Sequence, residues 1–289
     1  MNYVFIVGCP RSGTSILGEL VACHRKIQYH FETRNVWQEE RFDLARERFK
    51  KDLHSHRLTA ENNTEEDAKR IRQFFRCREN ICNPFIKPRE FMRWLLYHYH
   101  SKEVVVEKNP RNALRIPYIL SVFPEAKFIH IIRDGRDVTC SLLPGIGGKD
   151  WNHARPNNWR ELSKLPPLKR CALTWQEIVM TADKDLNELP ESSRLLVRYE
   201  NLILNTNNEV LRLFNFLNLS ITPEIISFID NIQNETIKSY HARHQEYWYQ
   251  PNHSVRVGRW KQNLTMEQQN DINHLIGDTL LYFGYYSNN

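Results

Sequence analysis

A chain of 289 residues is long enough to bury a large core as one domain, and no stretch reads as a linker. Its 40 Lys and Arg against 34 Asp and Glu leave a net charge of +6 spread along the chain, which suits an anionic ligand and argues against a dedicated nucleic-acid surface. Six cysteines, at 9, 23, 77, 82, 140 and 171, follow no metal-binding spacing, and neither a signal peptide nor an apolar run of membrane-spanning length is read, so the expectation is reduced thiols in a cytoplasmic protein without a transmembrane segment.

The first 34 residues carry most of the signal. Tyr3 to Gly8 is a β-rich apolar run, Cys9 to Gly13 a tight polar turn, and Thr14 to Val21 a helix with Ile16, Leu17, Leu20 and Val21 on its apolar side. A helix that begins at Thr14 leaves its first N–H groups aimed into the turn with the positive end of the dipole behind them, a site for an anion and for phosphate above all. Against the nucleotide-triphosphate pattern G-x-x-x-x-G-K-[ST], the chain reads Gly8-Cys-Pro-Arg-Ser-Gly13-Thr14-Ser15. The glycines keep their spacing and the lysine is gone, so one phosphate is expected in the loop, with Arg11 reaching an anionic group beyond it. An ordinary turn, with Gly13 serving only the backbone, is the alternative.

Residues 38–80 are charged and helical in pattern, over 39–56 and 65–78, with Phe42, Leu44, Phe49 and Leu53 on the apolar side of the first helix. They read either as an insertion that caps a cleft or as a solvated helical pair. A further helix begins at Pro88 and carries Phe91, Trp94, Tyr97 and Tyr99. Val104 to Glu107 is a short buried strand, and Lys108 at its tip stands on the edge where ligands bind in open α/β sheets, unless it is a surface lysine. A helix over 112–122 stops at Phe123-Pro124, and a second strand-to-helix junction follows from Lys127 to Leu143. There Arg133, leaving the strand, and Ser141, eight positions later on the helix, are placed to grip a second phosphate. The Gly- and Pro-rich stretch 144–167, with Trp151, His153, Arg155 and Trp159, reads as an irregular loop and an acceptor-side lid. A helix over 168–188, a strand from Arg194 ending at Tyr199, helices to about 231, a basic loop from His253 to Lys261 and a last helix from Glu267 to Phe283 complete the chain.

Several of these strings resemble sulfotransferases, enzymes that use 3′-phosphoadenosine 5′-phosphosulfate (PAPS). Pro10-Arg-Ser-Gly-Thr-Ser15 resembles their 5′-phosphosulfate loop, and His30-Phe-Glu32-Thr-Arg34 resembles the Glu-Thr-Arg segment of the tyrosylprotein sulfotransferase branch. Arg133 and Ser141 match the pair that holds the 3′-phosphate, and Val104-Val-Val-Glu-Lys108 is similar to the strand that ends in a cation on the transferred group. By the same resemblance Tyr199 contacts the nucleotide, and Ser254, Arg256 and Arg259 belong to the late basic loop that closes over the 3′-phosphate and adenine. Gly145 stands where the tyrosylprotein branch carries a further arginine.

The resemblance implies one domain over 1–289 with a P-loop-type α/β fold: three layers, α/β/α, around a central parallel sheet, with a helical insertion over about 38–100. It also implies metal-free in-line transfer of a sulfuryl group from PAPS, leaving the product PAP. Glu32 would be the general base and Arg11 and Lys108 the charge-stabilising cations. Arg11, Ser12, Gly13, Thr14, Ser15, Arg133, Ser141, Tyr199, Ser254, Arg256 and Arg259 would bind the nucleotide. The acceptor would carry a hydroxyl or phenol, on a small molecule, glycan, lipid or peptidyl tyrosine. A P-loop kinase or nucleotide hydrolase, and a non-catalytic nucleotide-binding protein on the same fold, are the alternatives.

Overall fold

In the computed structural model, which describes residues 2–33, 36–37, 54–76, 102–143, 152–233 and 253–285, five strands form one parallel sheet. They are β1 (Asn2–Val7), β2 (Ile27–Phe31), β3 (Val104–Lys108), β4 (Lys127–Ile132) and β5 (Arg194–Arg198), in the order β2-β3-β1-β4-β5. Helices are α1 (Thr14–Ala22), α2 (Glu65–Arg76), α3 (Ile116–Val122), α4 (Gly135–Leu142), α5 (Trp159–Ser163), α6 (Pro167–Asn187), α7 (Tyr199–Leu204), α8 (Thr206–Leu217), α9 (Pro223–Gln233), α10 (Trp260–Asn263) and α11 (Met266–Tyr282).

The strands are apolar on both faces because both faces are covered. Val4, Ile6, Val104, Val106, Ile129 and Ile131 pack with α1, α7, α8 and α9. Phe5, Val7, Val105, Phe128 and Ile132 pack with α2, α3, α4, α6 and α11. This is the three-layer α/β/α arrangement expected from the sequence.

One detail of the topology positions the site. The chain leaves β1 into α1 on one face and leaves β4 into α4 on the other, while β1 and β4 are neighbours. Two helices diverging from adjacent parallel strands open a crevice at the strands' carboxyl ends, where open α/β sheets bind their ligands.

Several boundaries differ from the expected ones. The helix expected over 112–122 is a 3₁₀ turn, Pro110–Leu114, followed by α3, with Arg115 between them. Pro117 has no N–H to continue a helix from the preceding turn, so a new helix starts with that proline in its first turn. Strand β2 was not anticipated. Of the helices expected over 39–56 and 65–78, the second is α2, while most of the first, the helix from Pro88, Arg34, Gly145, Trp151, Cys77 and Cys82 lie outside the described residues. The stretch 152–167, expected to be irregular, contains α5. No helix among the described residues is long and apolar enough to cross a membrane.

Candidate active site

The first loop runs from Gly8 to Gly13 at the carboxyl end of β1 and turns back through an N–H···O bond from Ser12 to the Cys9 carbonyl, 3.1 Å. Arg11 and Gly13 both take positive φ, 73° and 94°. A Cβ on Gly13 would stand 2.4 Å from the Tyr199 ring, so glycine serves two ends there: the left-handed backbone and the close approach of an aromatic side chain. No side chain caps α1, and the N–H groups of its first turn, at Thr14 and Ser15, lie beside the loop.

On one side of this loop stands an ion pair. Glu32 follows β2 in a left-handed conformation, φ 42°, and its N–H donates to the Lys108 carbonyl at 2.8 Å. The Lys108 ammonium donates to Glu32 Oε1 at 2.7 Å and to Ser15 Oγ at 3.4 Å, and lies over the Phe31 ring, 3.8 Å from its centre. Lys108 is wholly buried. Burial pushes its pKa down, and the Glu32 carboxylate beside it pulls it back up. The expected alternative of a surface lysine is therefore excluded.

Behind the ion pair lies a second carboxylate. Successive residues of a strand point to opposite faces, so Glu107 projects away from Lys108. Its Oε1 accepts from the Thr33 N–H at 3.3 Å, the Thr33 hydroxyl and the Trp37 indole at 2.7 Å, and its Oε2 accepts from the Asn112 amide at 2.7 Å. The dipeptide Glu107-Lys108 thus holds both the Glu32 side chain and the turn that carries it.

On the other side of the loop is a cationic cluster. Arg11 Nε donates to Ser141 Oγ at 2.8 Å. Arg133 stacks on the Tyr199 ring at 4.5 Å, and its guanidinium donates to the Arg11 carbonyl at 3.5 Å, to Asp137 at 3.4 Å and to the Arg256 carbonyl. Asp137 also accepts the N–H groups of Gly258 and Trp260, at 2.8 and 3.0 Å, and so ties the late basic loop to α4. Burial raises the Asp137 pKa and the Arg133 charge opposes this. Tyr199 is buried, with its hydroxyl 3.2 Å from His253 Nδ1. Arg259 has its pKa lowered, first by burial and then by the Arg133 charge. Among the described residues, its Nε and Nη2, together with Arg133 Nε and the Ser12 hydroxyl, are buried and meet no hydrogen-bond partner. A dianionic group would satisfy such donors and relieve the crowding of like charge.

Residues 3–223 match the sequence profile of the Sulfotransferase family. The chain belongs to that family. Among its relatives, Protein-tyrosine sulfotransferase A of Caenorhabditis elegans is 24% identical over 78% of this chain and 52% of its own length, so the chain spans about half of that relative. Protein-tyrosine sulfotransferase 1 of Danio rerio is 22% identical over 99% of this chain and 72% of its own. The solved sulfotransferase domain from the curacin biosynthetic pathway aligns over 96% of this chain and 97% of its own, with a TM-score of 0.53 at 14% identity, a likeness of fold.

Within this member of the Sulfotransferase family, the residues singled out from sequence fall into two groups on either side of one loop. Glu32, Lys108 and Ser15 form one, and Arg11, Arg133, Ser141, Tyr199 and Arg256 the other. Ser12, Gly13 and Thr14 lie in the loop between them, Arg259 adjoins the second group, and Ser254 is exposed at the start of the 3₁₀ turn Ser254–Arg256. Tyr199 is the first residue of α7 rather than the end of β5, and its ring supports Arg133 and Gly13. Glu107, Asp137 and the facing position of His153 were not anticipated. A buried carboxylate leaves no periodic mark, although Glu107 in an otherwise apolar strand tip is a visible exception. Among the described residues no cluster of three or more His, Cys, Asp or Glu could hold a metal ion.

Proposed function

We propose that the protein transfers the sulfuryl group of PAPS to a hydroxyl or phenol, with Glu32 as general base. The observation that carries this reading is the ion pair of Lys108 with Glu32, set beside a helix N-terminus and across the loop from the cluster of Arg11, Arg133 and Ser141. The two groups divide the donor between them. The 3′-phosphate belongs with Arg133, Ser141 and the late loop around Arg256 and Arg259, where buried donors await an anion. The 5′-phosphosulfate belongs with the loop residues Ser12 to Ser15.

The acceptor oxygen attacks sulfur as Glu32 takes its proton. The bond from sulfur to the bridging oxygen of the 5′-phosphate breaks, and PAP leaves. Lys108, in contact with both Glu32 and Ser15, is placed to stabilise charge on the sulfuryl group in flight. The names of the relatives make a phenol, peptidyl tyrosine included, the first acceptor to test.

Calorimetry with PAP, 5′-AMP and ATP, in EDTA and then with Mg²⁺, tests the donor site. Metal-independent binding of PAP, at least about tenfold tighter than 5′-AMP, is expected from charge-assisted bonds to one extra phosphate. Preference for ATP with Mg²⁺ would overturn the reading. Glu32→Gln should keep PAP binding and lose roughly 10²–10⁴ in transfer rate.

A further inference from the structure

The two oxygens of Glu32 face different partners. Oε1 accepts from Lys108, while Oε2 faces Nε2 of His153 at 3.9 Å. That separation is too long for a hydrogen bond and is one that a single polar atom can bridge. An oxygen about 2.8 Å from each of two atoms 3.9 Å apart sees them at an angle near 90°, a geometry open to a hydroxyl that donates to one and accepts from the other.

His153 is held where it stands. Arg111 Nε donates to its carbonyl at 2.6 Å, and Arg111 lies in the 3₁₀ turn that follows Lys108 directly. On the far side, the Arg155 N–H donates to His56 Nδ1 at 2.8 Å, the His56 N–H to the Arg155 carbonyl at 2.7 Å, and Arg155 Nε to the His54 carbonyl at 2.7 Å. Ala154 between them is fully buried. The described part of the segment expected to act as a lid is therefore pinned along its backbone from two sides, and it sets the His153 imidazole opposite Glu32.

We propose that Glu32 Oε2 and His153 Nε2 together seat the acceptor's hydroxyl oxygen. The acceptor O–H donates to Oε2, and the N–H of His153 Nε2 donates to the same oxygen. As Glu32 removes the proton and the O–S bond forms, the imidazole N–H stabilises the charge that gathers on the acceptor oxygen, so that base and donor act on one atom from two directions. This inference rests on the assignment of Glu32 as base.

The test uses the full chain with PAPS and 2-naphthol as a phenol probe, together with acceptor-free release of PAP from PAPS, in which water takes the same seat. His153→Ala should lower both rates by about 10–100-fold with PAP affinity unchanged, and His153→Gln, whose amide N–H falls near the position of Nε2, should restore most of the loss. A crystal structure with PAP bound should show a water within hydrogen-bond distance of both Glu32 Oε2 and His153 Nε2. If His153→Ala keeps both rates within twofold while Glu32→Gln loses them, the seat is refuted and the base stands. If Glu32→Gln keeps its rates, the base assignment falls first. A crystal structure in which His153 turns away from Glu32, or no water bridges the two, also refutes the seat.

Discussion

Arg11 in the first loop donates through Nε to the hydroxyl of Ser141, 2.8 Å away and 130 residues later. Read along the chain, the two belong to different phosphates, Arg11 to the loop after β1 and Ser141 to the helix after β4. In the fold they touch, because β1 and β4 are neighbours and their two junctions share one crevice. The loop cation is therefore shared between the two strand-to-helix junctions, and in the proposed function it stands between the two phosphates of the donor.

Ser141→Ala removes one hydroxyl from the second phosphate site and one partner from Arg11. PAP affinity should fall about tenfold, the worth of one hydrogen bond to a charged group, while 5′-AMP affinity changes by less than about twofold. Calorimetry on both nucleotides checks this, and an equal loss for both would place Ser141 elsewhere than at the 3′-phosphate.

Lys108→Met keeps the stem and deletes the ammonium that Glu32 and Ser15 contact. Transfer should fall about 10²–10³-fold, as for loss of one preorganised donor, with a smaller loss of PAP binding. Lys108→Arg should not restore activity, since the site is fully closed around the lysine and a guanidinium is wider and flatter. Single-turnover rates with [³⁵S]PAPS decide both points.

Glu107→Gln puts an N–H₂ where one of four donors now points. Breaking a buried, charge-assisted cluster should cost about 2–4 kcal/mol of stability in urea unfolding. Transfer should fall further than the unfolded fraction explains, because the Glu32 turn loses its tether through Thr33. Unchanged stability would mean that the cluster is not formed in solution.

Gly13→Ala meets both the Tyr199 ring and a positive φ, so nucleotide binding should be lost and stability reduced by at least about 1–2 kcal/mol. Gly277→Ala, within α11 and with nothing near its new methyl group, should leave stability the same or raise it by about 0.5–1 kcal/mol. Thermal unfolding of the pair separates a glycine required by geometry from one that is not.

His130 lies buried on β4, its Nε2 meets no hydrogen-bond partner among the described residues, and burial lowers its pKa to about 4. Between the ordinary 6.5 of histidine and that value, the unfolded chain binds a proton that the folded chain refuses, so stability is lost as pH falls through this window. Asp137 and Glu200, whose pKa values burial raises, act in the opposite sense, so the informative quantity is a difference. His130→Leu should reduce the stability change between pH 7 and 4.5 by about 2–3 kcal/mol relative to the parent in urea titrations. An unaltered dependence would show that His130 protonates freely in the folded state.

Most of the residues that the fold gathers at the candidate site were legible in the sequence because they sit at punctuated places: a glycine loop, a strand tip, an arginine leaving a strand. Arg11, Lys108, Arg133 and Ser141 all carry such local marks. What escaped was set by partners distant in sequence. Strand β2 is short and its alternation, Ile27-Gln-Tyr-His-Phe31, is mild, so its place rests on pairing with β3. Glu107 stands out in its apolar strand and Asp137 does not, but neither shows its role until Thr33, Trp37 and Asn112 converge on one, and Gly258 and Trp260 on the other. His153 gains its meaning only from the fold that sets it opposite Glu32.

The bonds from Gly258 and Trp260 to Asp137 bear on the order in which the protein is made. Synthesis delivers the loop after β1 before the Arg133–Ser141 junction, and Gly258, which Asp137 clasps, 121 residues after Asp137. A nascent chain that has folded its sheet still lacks one wall of the crevice. A ligand held in that crevice would therefore favour the state in which the late loop has docked on Asp137, and would add little to the sheet alone.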